Sequence, residues 1–191
     1  MFGGKLHCVH RGAGEDTALR HTTFDGTRWS TDTKLRHHHT ASNPALAAYD
    51  GKLHLLHRGA ATDTSLWHAA FDGTRWSADT QMPHHSSLEG PSLAAFDGHL
   101  YCVHRGHGNG DQKLWWATYK NSSGWSADRE FHGHTSGTGP AVIAYRDANA
   151  ETDQFLVVHR GYGPRAAGSD AAEMKARIAA EELTAAEPGT D

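Results

Sequence analysis

His10, His57 and His104 each open a His-Arg-Gly triplet and stand 47 residues apart, and His159 opens a fourth triplet 55 residues further on. A fixed period of this length confines the fold to an array of like units. Each unit is too small to bury its own apolar face, so neighbours must stack to build a shared core. Two further marks keep the same period: Trp29, Trp76 and Trp125 head Trp-Ser-x-Asp, and Pro44, Pro91 and Pro140 precede small apolar runs. The last interval carries an insertion.

The complete middle unit shows what is being repeated. Pro44 to Tyr49 and Leu53 to His57 flank Asp50-Gly51-Lys52, whose Asp-Gly is a tight-hairpin signal, and these runs are predicted as strands a and b. After the loop from Arg58 to Thr64, Ser65 to Phe71 is predicted as strand c. The turn Asp72-Gly73-Thr74 then leads into strand d, predicted from Arg75 to Asp79. Four antiparallel strands at a fixed period describe a β-propeller blade, and no 3.6-residue apolar stripe supports a helical solenoid. The predicted fold is therefore all-β, with propeller repeats over residues 1–163. Strand b occurs four times and the others three, and a ring typically needs at least four blades, so a monomer is expected to leave open edges that invite pairing. Self-association that completes the ring and membership of a longer array are the two ways to cover them. Residues 164–191 are rich in Ala and Glu and leave the repeat. They are predicted as a tail, either a short helix over Ala171 to Leu183 capped by Asp170 or a disordered segment.

Charge and composition remove several functions. A net charge of −4 and a pI near 6.5 supply no basic field for phosphates, so nucleic acid is not an expected partner. No apolar run reaches membrane-spanning length, so no membrane partner is expected either. Met1 to Gly12 lacks the apolar core of a signal peptide, which makes the cytoplasm the default location, with non-classical release as the alternative. Cys8 and Cys102 occupy equivalent places in units that are not neighbours, and are expected as buried thiols rather than a disulfide.

In a four-stranded meander the b–c and d–a loops share one rim, while the tight a–b and c–d turns crowd the other and leave a ligand little room. The first rim collects Arg11, Arg58 and Arg105 from the triplets, and Asp16, Asp63 and Asp111 from the b–c loops. Trp67 and Trp115 open strand c nearby, where the first unit has Arg20. The d–a loops are predicted to carry His37 to His39, then His84 and His85, then His132 and His134. Charged donors, acidic acceptors and an aromatic face suit a sugar, whose hydroxyls take hydrogen bonds while its apolar face stacks on indole. Repetition would supply avidity. The strand-b histidines have a second reading, since they continue the Leu53 and Leu55 side and can turn into the blade to satisfy backbone groups. The arginines have one too, as inter-blade ion pairs. Trp29, Trp76 and Trp125 are read as structural covers of the hairpin.

Adjacent histidines such as His37 to His39 can offer imidazole to a metal, but the loops show no dedicated ligand spacing, and no cofactor is expected. No nucleophile elbow, phosphate loop or isolated carboxylate pair breaks the repeat, so the chain is expected to be non-catalytic.

The runs Thr23-Phe24-Asp25-Gly26-Thr27-Arg28-Trp29 and Ala70-Phe71-Asp72-Gly73-Thr74-Arg75-Trp76 resemble the Asp-box turn of sialidase-type propellers. Across residues 4 to 162 the blades resemble the repetitive bacterial β-propeller lectins. The turn is one residue shorter between Asp and Gly than an Asp-box, and the third unit has Asn121 where the Asp would stand. No arginine triad with a tyrosine nucleophile stands out, so the resemblance does not carry sialidase chemistry over. It implies carbohydrate or glycoconjugate binding between blades or at their ends, with several sites per assembly. A protein-interaction scaffold on the same rim is the alternative; it predicts one asymmetric surface where a lectin predicts repeated sites.

Overall fold

The computed structural model describes residues 1–108, 110–147 and 152–162, with residues 175–178 as backbone. Four separate antiparallel sheets follow one another along the chain. The first holds β1 (Leu6–Arg11), β2 (Ala18–Phe24) and β3 (Thr33–His39), and the second β4 (Ala45–Tyr49), β5 (Lys52–Arg58), β6 (Ser65–Phe71) and β7 (Thr80–Ser86). In the third, β8 (Ser92–Phe96), β9 (His99–Arg105) and β10 (Lys113–Lys120) run side by side, and both β11 (Gly124–Trp125) and β12 (Arg129–Thr135) pair with β10. The fourth contains β13 (Ala141–Asp147), β14 (Thr152–Val158) and β15 (Lys175–Ile178). The innermost strands meet in chain order, β1 with β4, β4 with β8 and β8 with β13, so the sheets stand around a common axis as blades. Among the described residues there is no helix.

Chain reversal in each blade follows local chemistry. Tyr49 pairs with Lys52 across Asp50 (φ 44°) and Gly51 (φ 72°), and Phe96 pairs with His99 across Asp97 (φ 43°) and Gly98 (φ 71°). Two consecutive positive φ values define the primed turn whose twist matches the flanking strands, and Asp-Gly is the pair that adopts it at little cost.

Strand b is apolar on both faces because each face meets a different blade. Leu55 packs backward against Val9, Leu19 and Leu35 of the first blade. Leu56 faces forward with Leu66 and Met82 onto Leu93, Leu100 and Cys102 of the third. Leu55 and Leu56 are wholly buried, and period-2 alternation places neighbours on opposite faces. At about 1.5–3 kcal/mol for each fully buried aliphatic side chain, these clusters dominate blade stacking. The third cluster joins Tyr101, Val103 and Leu114 to Phe155 and Val157 of the fourth blade. Cys102, in the cluster between the second and third blades, is a free thiol pushed well up by burial, and Cys8 is a free, half-buried thiol.

Two predicted elements are corrected. Strand d does not run from Arg75 to Asp79: Trp76 makes only an isolated bridge to Phe71, Ala78 and Asp79 leave the ladder, and the strand resumes at Thr80. The cause is the Asp79 side chain, which turns toward His57, 3.2 Å away. In the tail, the predicted helix from Ala171 is replaced over Lys175–Ile178 by a strand antiparallel to β14. β14 is a strand b whose outer edge presents unpaired N–H and C=O groups, and a paired backbone satisfies them. The rest of the predicted tail lies outside the described residues.

The recurrent tryptophans seal blade to blade. Trp76 stands edge-on to His21 of the preceding blade at 85° and donates its indole N–H to His21 Nδ1 at 3.3 Å, and Trp125 stands edge-on to His68 at 88°. Trp29 packs on Phe24 of its own blade, meets no histidine of another blade among the described residues, and is 53% exposed. His68 also meets His54, Nε2 to Nδ1, at 2.9 Å. Burial, with a smaller contribution from His54, pushes the His68 imidazole down to about 4 from its ordinary 6.5.

The folded state therefore binds fewer protons than the unfolded chain between those two values, and stability is lost as pH falls through that window, by up to roughly 3 kcal/mol. Urea unfolding at pH 7 and pH 4.5 is expected to show a steeper loss for the wild type than for His68→Gln, which carries no titrating ring. Equal losses in the two proteins would remove His68 as the cause.

Candidate functional site

The His-Arg-Gly triplet and the acidic b–c loop form one construction. Asp63 Oδ1 accepts from the Ser65 N–H at 2.9 Å, and Oδ2 accepts from the Trp67 indole N–H at 2.9 Å. Asp111 does the same with Lys113 N–H (3.1 Å) and Trp115 (3.3 Å), and Asp16 with Ala18 N–H (3.0 Å) and the Arg20 guanidinium (2.9 Å). An Asp that bonds the backbone two residues on is an Asx turn, which here positions the first residues of strand c. Each carboxylate rests on the glycine of its triplet. A Cβ at Gly59 would lie 2.1 Å from Asp63 Oδ2, and one at Gly106 2.1 Å from Asp111 Oδ2. Burial pushes the Asp63 carboxyl up, but the bonds from Ser65 and Trp67 and the nearby Arg58 charge outweigh it and hold the group low. For Asp16 the Arg20 bond lowers it first, then the Ala18 N–H.

Each of the first three triplet arginines donates to a backbone carbonyl near its blade's rim. Arg11 donates to Gly14 O at 2.7 Å, Arg58 to Ala61 O at 3.3 Å, and the buried Arg105 through Nε to Ser136 O at 2.9 Å. The structure thus brings Arg58, Asp63 and Trp67 together, as it does Arg105, Asp111 and Trp115. The aspartates bond backbone N–H groups and the indoles, each arginine donates to a backbone carbonyl while Arg58 Nε stays buried without a hydrogen-bond partner, and the indoles are left partly exposed.

His84 and His85 lie in β7 rather than in the d–a loop where the sequence places them, and His37 to His39 end β3. The reason is a β-bulge. The register of β7 against β6 shifts between Ser65 and Trp67, and His84 adopts φ 64°; His37, at φ 70°, does the same in β3. One residue of each pair is thrown outward and the next inward, so His37 and His84 are exposed while His38 and His85 are 3% and 4% exposed.

The inward histidines find the acids of the Trp-Ser-x-Asp motif. His57 Nε2 lies 3.2 Å from Asp79 Oδ1, His104 Nε2 3.1 Å from Asp128 Oδ1, and His10 Nε2 3.2 Å from Asp32 Oδ2. His38 of the first blade reaches across to the same Asp79 oxygen at 2.8 Å, and His85 of the second to Asp128 at 3.3 Å. Burial raises the Asp79 carboxyl, but the adjacent His38 and His57 imidazoles prevail and bring it down to about 2. Asp32, Asp79 and Asp128 are absent from the rim set predicted by sequence. Their signal was present, since they stand 22, 22 and 24 residues after the triplet histidines.

The bulged outer strand also opens a cleft of about 550 Å³ between the first two blades. Lys34, Arg36 and His37 line one wall, and Trp76 with Ser77 the other. Two smaller clefts adjoin the tight turns, one of about 350 Å³ around Phe96, His99, Tyr145 and Arg146, the other of about 480 Å³ around Asp50, Lys120 and Asn121. The turn rim, predicted to leave little room, therefore borders open space, even though Tyr49 and Asp50 of the second blade bond Gly98 and Asn121 of the third there.

No family model and no curated protein matches the sequence. Solved structures do match in three dimensions. An N224Q mutant of the Aleuria aurantia lectin, in complex with Fucα1-6GlcNAc, superposes with a TM-score of 0.54 at 15% identity over 80% of this chain and 53% of that one. The fold is that of β-propeller blades. The same mutant with α-methyl-L-fucoside gives 0.53 at 15% identity with the same coverage, and a fucose lectin from Kordia zhangzhouensis with methyl-fucoside gives 0.49 at 15% identity over 71% of this chain and 96% of that one. The chain spans about half the length of the Aleuria lectin. The likeness to lectin propellers extends to backbone geometry, whereas the Asp-box likeness rests on the turn residues alone.

The Gly–Asp contact has a direct test. Gly59→Ala forces the Asp63 carboxylate off its seat and is expected to cost about 1–3 kcal/mol, read as a lower unfolding midpoint. In an Asp63→Ala background the same substitution should cost far less. Additive losses would show that the two residues act independently.

Proposed function

We propose that the protein is a non-catalytic, carbohydrate-binding propeller protein whose principal sugar site is the cleft between its first two blades. The observation that carries this reading is the wall chemistry of that cleft on a fold shared with lectins: exposed Lys34 and Arg36 as cationic donors, His37 beside them, and the Trp76 ring opposite. Hydroxyls and any acidic substituent of a sugar would meet the cations, while its apolar face would lie on the indole. The rim aspartates are engaged by their own loops and each rim arginine donates to a backbone carbonyl, so the sugar is assigned to the cleft and the rim indoles to a secondary role. The corresponding positions at the next junction are Gln81, Pro83 and His84 beside Trp125. That site lacks the two cations and should bind more weakly, so valence comes from unequal sites.

The test is a glycan-array screen followed by calorimetric titration of the best glycan. Lys34→Ala and Arg36→Ala, both at exposed positions, are each expected to weaken binding about tenfold, equivalent to about 1.4 kcal/mol, with the unfolding midpoint unchanged. Trp67→Ala on the rim should change affinity much less. If Trp67→Ala abolishes binding while Arg36→Ala does not, the site moves to the rim. A folded chain that binds no glycan favours the interaction-scaffold reading.

A further inference from the structure

The first two blade junctions carry the same three residue types, closed into one tight cluster at the first and more loosely spaced at the second. At the first, His38 Nδ1 and His57 Nε2 lie 2.8 and 3.2 Å from Asp79 Oδ1, and all three ligand-type atoms fall within 4.8 Å of one another. At the second, His85 Nε2 and His104 Nε2 lie 3.3 and 3.1 Å from Asp128 Oδ1. The four imidazoles are at most 4% exposed, whereas the carboxylates, at 14% and 20%, keep a side toward solvent.

The hydrogen bonds behind these rings fix what their front nitrogens can do. His57 Nδ1 lies 3.0 Å from Arg58 O, His104 Nδ1 3.1 Å from Arg105 O, and His85 Nδ1 2.6 Å from Pro83 O. A carbonyl only accepts, so each of these Nδ1 atoms carries a proton, and a neutral ring then presents a bare lone pair at Nε2. At the second junction both lone pairs converge on one carboxylate. Placing a single proton there satisfies one imidazole and leaves the other orphaned, and His38 Nδ1 and His85 Nε2 are the two buried front nitrogens without a hydrogen bond. A divalent cation satisfies all three groups together. Histidines backed by carbonyl acceptors are also the usual outer arrangement of a metal site.

We infer that each of these two junctions is a binding site for a divalent transition metal of the Zn²⁺ class, held by His38, His57 and Asp79 at the first and by His85, His104 and Asp128 at the second. Tetrahedral Zn²⁺ with bonds of about 2.0–2.1 Å spaces its ligand atoms about 3.3 Å apart, close to the separations from each carboxylate oxygen here. Imidazole and carboxylate together suit this class of ion. His38 and Asp79 border the inter-blade cleft, which gives an ion a path from solvent and leaves the fourth position to water. Each ligand set spans two blades, so the metal pins one blade to the next. Among the described residues the other repeats lack a full trio: His10 and Asp32 are 42% and 41% exposed and meet no second histidine, and His134 meets His159 at 3.2 Å without an aspartate.

The experiment uses the whole chain prepared without a histidine tag, stripped with EDTA, and titrated with ZnCl₂ by calorimetry alongside thermal unfolding. The expected result is saturable uptake of two equivalents with a raised unfolding midpoint. Asp79→Asn and Asp128→Asn should each remove one equivalent, while His39→Ala and His132→Ala, at exposed positions, should remove neither. Should an Asp→Asn chain fail to fold, His38→Gln and His85→Gln take its place, since they leave the within-blade His57–Asp79 and His104–Asp128 bonds intact. Co²⁺ bound to the unaltered chain should show the intense visible absorption of four-coordinate metal. Uptake that survives the junction variants, uptake that follows the surface histidines, a six-coordinate Co²⁺ spectrum, or no uptake by the folded chain would each overturn the inference.

Discussion

The carboxylate of Asp79, shared between two blades, sets much of the surrounding geometry. It sits where the second blade would otherwise continue its outer hairpin, and by turning toward His57 it breaks the ladder after the bridge at Trp76. The outer strand must then restart at Thr80, with Met82 directed into the core. His38 reaches the same oxygen only because a bulge in the first blade turns it inward. One buried charge thus fixes the break in one blade and the bulge in its neighbour, and the cleft between them is the space these two irregularities leave. A buried carboxylate without these partners would be costly, so the strand break, the bulge and the triplet histidine stand or fall together.

Apolar packing supplies the bulk of cohesion around this polar seam. Strand b serves two interfaces at once, with Leu55 and Leu56 wholly buried on opposite faces, and the tryptophan of each following blade closes the outer edge by standing against a histidine of strand c. The apolar clusters are non-directional, whereas the histidine–aspartate seam accepts only one register. The first holds the blades together and the second sets how they meet.

Much of this was legible in the sequence. The period gave the blade, Asp50-Gly51 gave its hairpin, and the alternation of Leu53 to His57 gave the buried strand. What was not legible depended on neighbours in space. Nothing local to Arg75–Asp79 reveals that Asp79 has a partner in the preceding blade, so an uninterrupted strand was the natural reading. His84 and His85 look like loop residues because a bulge has no hydrophobic period. The triplet glycine was visible as a repeat, but its reason, a carboxylate resting on its Cα, exists only in three dimensions. The cleft residues Lys34 and Arg36 escaped notice because they do not recur.

That failure to recur has a consequence of its own. Along the outer strand, the inward residues keep their character between blades, Leu35 matching Met82 and His38 matching His85, while the outward ones differ, Lys34 against Gln81 and Arg36 against Pro83. Constant inward residues and variable solvent-facing ones thus share the same strand. A duplicated blade can inherit its joints unchanged and still present a different cleft wall by substitution at two or three solvent-facing positions, so such an array can diversify one cleft at a time without renegotiating its assembly.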